Sequence, residues 1–179
     1  MTRTSKLAII SAMGGLLLVI GLVAKPAKQE DVVKRLSNYR EWTRVNAHPA
    51  RMDPIAAAMC SYPAHFVSQD PHTDHFVTVY VNDVGRRAMM MKGLMRFPTD
   101  SIIVKEKLSE QRTDRGTPEL LTVMIKRPTG FNPKVGDWEF LLLSGDAKHI
   151  GAQGKLESCQ NCHLTQAKQD YVYGTYKQN

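Results

Sequence analysis

The chain has 179 residues, of which 42% are hydrophobic and 23% charged, the composition of a soluble globular protein with one core rather than two. Its formal net charge is +7, but the basic residues are scattered (Lys25, Lys28, Lys34, Arg35, Arg86, Arg87, Lys92, Arg96, Lys126 and Arg127 among them) and no Lys/Arg block is interleaved with aromatics. That pattern excludes nucleic-acid binding through a concentrated patch, while leaving a positive face able to steer an acidic redox partner.

Arg3 and Lys6 precede an apolar run from Leu7 to Ala24. A positive start followed by such a run predicts an export signal over residues 1–24, with cleavage as late as residue 27. The alternative is an N-terminal anchor facing the periplasm, because the run is long and its small-residue cleavage pattern is poor. Export places a single domain, residues 28–179, in the periplasm. Loss of the first 24 residues removes two basic groups and no acidic ones, lowering the charge to +5.

Asp31 to Trp42 is predicted helical, with Val32, Val33, Leu36, Tyr39 and Arg40 forming a stripe at spacings of three and four. Asn46 to Pro71 reads as loop, broken by Pro49, Pro54, Pro63 and Pro71, with a short helix around Ile55 to Met59. His48, His65, His72 and His75 are too scattered to read as a metal site. His75 to Asn82 alternates with both faces apolar, which predicts a doubly covered strand. Asp83 is expected to cap a helix running to about Gly93. Ser101–Leu108, Leu120–Arg127 and Trp138–Leu143 are three further strands. A helical segment around His149 and an extended piece from Asp170 to Tyr176 complete the reading. Nonlocal strands with helices kept apart predict an α+β domain: a mainly antiparallel sheet with peripheral helices, not a four-helix bundle.

The strongest motif is Cys159-Gln160-Asn161-Cys162-His163. Cys-x-x-Cys-His is the attachment signature of c-type haem. Two thiols at this spacing reach the two vinyl groups of one porphyrin, and the adjacent imidazole suits its iron. A zinc site would need a second ligand pair, and the remaining cysteine, Cys60, stands alone. One motif predicts one haem. None of the nine methionines follows His163, so no downstream thioether is available as a sixth ligand. An iron open on one face is the expectation, and such an iron can bind a small molecule. Met89, Met90 and Met91 read as packing rather than as ligands.

In the strand Ser101–Leu108, period two puts Ile103, Lys105 and Lys107 on one face and Val104, Glu106 and Leu108 on the other. Two readings stay open for the lysines. They face water from an edge strand, or one enters a haem pocket as a donor or nucleophile.

An ordered set of short motifs bears on that choice: Tyr39-Arg40-Glu41-Trp42, Val79-Tyr80-Val81-Asn82, Phe97-Pro98, Ile103-Val104-Lys105-Glu106, Gly136-Asp137-Trp138 and Cys159-x-x-Cys162-His163. In order and spacing the set resembles the cytochrome P-460 family over nearly all of the chain after the apolar run. The resemblance implies a periplasmic, mostly β, often homodimeric protein with a five-coordinate haem. In the hydroxylamine-oxidising members a lysine is bonded to the porphyrin edge. The family's Val-Lys-Glu falls on Val104-Lys105-Glu106, which implies Lys105 as the cross-link and Lys107 as the less favoured neighbour. It also implies hydroxylamine as substrate, nitrous oxide or nitrite as product, and a soluble c-type cytochrome or similar electron acceptor. Two departures stand out. The position of a family arginine falls on Val77, and the segment before the haem motif, His149 to Gly154, holds no acid. Asp146 and His149 are the acid/base candidates. A related reading is nitric oxide binding without a cross-link, as in cytochromes c-prime-beta. Phe66, Phe76, Val77, Met90, Leu94 and His149 would then line the distal pocket.

Overall fold

The structure, a computed structural model, describes residues 27–54, 56, 74–109 and 116–178. The expected leader, most of the short helix expected at 55–59, and Cys60, His65, Phe66 and His72 lie outside the described residues. Among the described residues no helix is long and apolar enough to cross a membrane.

The architecture is the expected α+β one. Seven antiparallel strands form one sheet: β1 (Thr43–Arg44), β2 (Ala50–Arg51), β3 (His75–Val81), β4 (Ile102–Ser109), β5 (Leu120–Lys126), β6 (Trp138–Ser144) and β7 (Ile150–Gly154). Strands β3 to β7 run as a meander, and both β1 and β2 pair with the free side of β3. The α-helices that lie wholly within the described residues are peripheral: α1 (Ala27–Leu36), α2 (Asp83–Met90) and α3 (Glu157–His163).

Alternation divides the core into two layers. On one face Val77, Val79, Val81, Ile103, Met124, Trp138 and Phe140 pack with Met89, Met95 and Val172. On the other, Tyr80, Ile102, Val104, Leu121, Val123, Ile125, Leu141 and Leu143 meet Val32 and Leu36 of α1 and Tyr39. The predicted first helix is thus two pieces, α1 and a 3-10 turn at Tyr39–Glu41. The cap of α2 is Asn82, not Asp83: its side-chain oxygen accepts the Gly85 N–H at 3.1 Å. It also accepts the Ile102 N–H and so ties α2 to β4. The helix stops at Met90 rather than near Gly93.

Two expectations change at the C-terminal end. The segment after His149 is the strand β7, paired with β6, and no helix surrounds His149. Gly151 and Gly154 give it little strand character in sequence; its pairing comes from β6. The extended piece expected from Asp170 to Tyr176 does not form: Asp170 and Tyr171 make a left-handed turn, residues 172–174 have no regular structure, and Thr175–Gln178 closes as a 3-10 turn.

Strand β4 lies between β3 and β5, so it is not an edge. Its Glu106 is fully buried, with Oε1 accepting from Tyr39 Oη at 2.6 Å and from Arg40 Nε at 2.6 Å. Burial and the adjacent carboxylate push the Tyr39 phenol well above its ordinary range, so it is a fixed donor. Arg40 also donates to the Gly116 carbonyl. A buried carboxylate is tolerated only with such partners. Glu106→Ala leaves two donors without their acceptor. It is expected to cost about 2–4 kcal/mol, read as a lower urea midpoint, with Glu106→Gln costing less.

Candidate haem site

Helix α3 carries Cys159, Cys162 and His163. Gln160 fixes its start by donating from Nε2 to the Lys155 carbonyl at 2.7 Å. Neither motif cysteine is in a disulfide, and Cys162 Sγ lies 3.3 Å from Tyr173 Oη. His163 Nδ1 lies 2.6 Å from the Tyr171 carbonyl. A carbonyl can only accept, so Nδ1 carries the proton and Nε2 keeps its lone pair. Phe140 and Tyr173 flank the ring, each with its centroid 5.3 Å away. Loss of hydration pushes the imidazole down to about 4, the Tyr171 bond opposes that shift, and the Lys105 ammonium adds to it. The ring is therefore neutral at neutral pH, the form that binds a metal.

The motif opens on a cavity of about 380 Å³. Its sheet side includes Val79, Ile103, Lys105, Thr122, Met124, Phe140 and Leu142. Register puts one row of this floor in line: Val79, Lys105, Thr122 and Leu142 are successive partners across four strands. Met89 of α2, Val172, Tyr173 and Tyr176 contribute from other sides. Asp53 is the one carboxylate among the described lining residues, and its Oδ1 accepts the Ala56 N–H at 3.1 Å.

Thus the structure brings Cys159, Cys162, His163 and Lys105 to one cavity. Lys107 projects from the same face two residues on but does not line it. It is 2% exposed and sits beside His75, which is 3.6 Å from Glu119. Val77 is fully buried in the cavity-side core without lining the space. Phe76 is on the opposite face of β3, and Met90 and Leu94 are 48% and 60% exposed. Asp146 and His149 are exposed in the β6–β7 turn. There the Ser144 hydroxyl and the Lys148 N–H both donate to Asp146, holding its carboxyl below the usual range. Among the described residues no group of three metal-ligating side chains forms a separate metal site.

Sequence reasoning missed Met89, Thr122, Tyr173, Tyr176 and Asp53. Met89 lies on the buried side of α2, at 1% exposure, whereas Met90 beside it is 48% exposed. Thr122 was available from alternation. Asp53 sits in an irregular segment with no periodic signal.

The chain matches the family model Cytochrome P460 over residues 36–174. It belongs to that family, and is therefore a c-type haem cytochrome, an oxidoreductase-type haem protein. No curated protein matches the chain. The residues present fit the group. Two thiols that form no disulfide and a neutral imidazole with the proton on Nδ1 border a mostly apolar cavity with a sheet floor.

The cluster at Lys107 gives a pH prediction. Burial first, then the Lys107 charge, lowers the affinity of folded His75 for a proton below its ordinary 6.5. The unfolded chain then binds the proton first, so this contribution is complete above pH 6.5 and is lost as pH falls below it. The urea midpoint of the haem-loaded protein should drop across that window, and His75→Gln should flatten the drop.

Proposed function

We propose that this chain is an exported monohaem cytochrome that oxidises hydroxylamine. Cys159 and Cys162 would hold the haem covalently, His163 would ligate its iron, and Lys105 would form a further bond to it. The observation that carries the reading is the shared cavity: Lys105 reaches the space bordered by the Cys-x-x-Cys-His helix, and Lys107 does not.

Bound haem supplies an iron that accepts electrons and binds a small ligand on its open face. The chain's own residues do the rest. Tyr171 holds the proton of His163 on Nδ1. The apolar floor of Val79, Ile103, Met124 and Leu142 excludes water. Lys105, bonded to the haem, would restrain it, one of the protein's levers on haem reactivity. Two hydroxylamines become one nitrous oxide and one water, with four protons and four electrons released. Asp53 accepts protons at the mouth of the cavity, the role that the sequence left without a residue. The electrons pass to a soluble c-type cytochrome or a similar acceptor. A homodimer in the periplasm is the expected setting.

The apolar lining also favours a second reading, nitric oxide binding at an uncrosslinked haem. Turnover of hydroxylamine with an artificial electron acceptor separates the two. The wild-type protein should oxidise it, and Lys105→Leu should abolish this while keeping haem on the cysteines and moving the reduced Soret band. Lys107→Leu should leave the band in place. Asp53→Asn should slow turnover by about 100-fold. A wild-type protein that binds nitric oxide but leaves hydroxylamine untouched would establish the second reading instead.

A further inference from the structure

Asp170 lies in the segment after the haem motif and is 8% exposed. Three separate parts of the fold converge on it. Lys126, at the end of β5, donates from Nζ to both carboxylate oxygens at 2.7 and 2.8 Å. The Phe97 N–H donates to Oδ2 at 2.8 Å. Trp138 Nε1, at the start of β6, donates to the Asp170 carbonyl at 2.8 Å. The Lys126 ammonium also lies over the Trp138 ring, 5.0 Å from its centroid.

These bonds hold an unfavourable backbone. Asp170 and Tyr171 are consecutive non-glycine residues in the left-handed region, with φ of 53° and 63°. Such residues persist only where the surroundings over-determine them. The Tyr171 N–H donates back to the Gln166 carbonyl at 2.9 Å, closing the turn. Gly136, with φ of +63°, packs against it: a Cβ there would meet Tyr171 ring carbons at 2.7 and 2.8 Å. The product of this turn is one aimed carbonyl, that of Tyr171, which receives the His163 Nδ1–H at 2.6 Å.

We propose that Asp170 is a positioning residue for the axial ligand. Its bonds to Lys126, Phe97 and Trp138 fix the left-handed turn that points the Tyr171 carbonyl at His163 Nδ1. That carbonyl sets the tautomer and orientation of the imidazole and raises its basicity towards iron. Strand β5 and the segment after α2 thus meet at one carboxylate, β6 holds the same residue's carbonyl, and the electronic character of the ligand depends on an ion pair outside the cavity. The inference rests on the haem reading of His163 but not on hydroxylamine as substrate.

The test uses haem-loaded protein and two readouts besides activity: the iron–histidine stretch of the ferrous form by resonance Raman, and the midpoint potential. Asp170→Ala should lower the stretching frequency and raise the potential, because a weaker hydrogen bond from Nδ1–H to the Tyr171 carbonyl makes the imidazole a poorer donor to ferric iron. Asp170→Asn can still accept the Phe97 N–H and tolerates the left-handed backbone, so both values should return towards wild type. Should Asp170→Ala fail to load haem, Lys126→Met decides. It removes the counter-ion and leaves the Phe97 and Trp138 bonds, and a shift in the same direction is expected. An unchanged stretch and potential in the folded, haem-loaded variant would overturn the proposal and leave Asp170 as a tail anchor. Failure of the wild-type protein to oxidise hydroxylamine would leave these readouts intact, so the two claims fail separately.

Discussion

The buried carboxylate of Glu106 is the constraint on which the site depends. A strand has a period of two, so slipping β4 by one residue would exchange its faces. Glu106 can occupy the α1 side because Tyr39 and Arg40 meet it there. On the cavity side it would displace Lys105 and face the apolar floor. The pairing of Tyr39 and Arg40 with Glu106 therefore selects the register in which Lys105 points at the haem motif. Two short motifs more than sixty residues apart in sequence are joined on one side of the sheet, and the consequence is felt on the other.

The second fixed point is the approach to His163. The haem helix is short, Glu157–His163, and its histidine is its last residue. A side chain at a helix end needs an outside partner to hold its ring. The turn at Asp170–Tyr171 supplies one, and it draws on β5, β6 and the segment after α2 to do so. The cavity between these two anchors has its polar functions at separate places: Lys105 on the floor, Asp53 at the mouth, and the thiols and imidazole along one wall. On the proposed reading, that separation would let Lys105 hold the ring while Asp53 exchanges protons.

Much of this was legible in the sequence, and the exceptions have physical causes. Alternation located β3, β4, β5 and β6 within a residue at each end, because both faces of these strands are covered and β-branched residues recur. The same alternation put Lys105 and Lys107 on one face but could not say whether that face met water or a cavity. Edge and centre differ in pairing, which is nonlocal. Strand β7 was hidden because a glycine-containing segment has no propensity of its own and takes its conformation from β6. Met90 is the pocket candidate in the sequence, but α2 turns Met89 inward and leaves Met90 48% exposed. Asp53 and Asp170 are single acids in irregular segments, and their importance comes only from what the fold brings to them.

The central claim is that Lys105 shares one haem with Cys159 and Cys162. Proteolysis of the holoprotein followed by mass spectrometry of the haem peptide tests it most directly. The account predicts a single species in which the peptide around Lys105 and the peptide holding Cys159 and Cys162 are both joined to one haem. A haem carrying the cysteine peptide alone would contradict it.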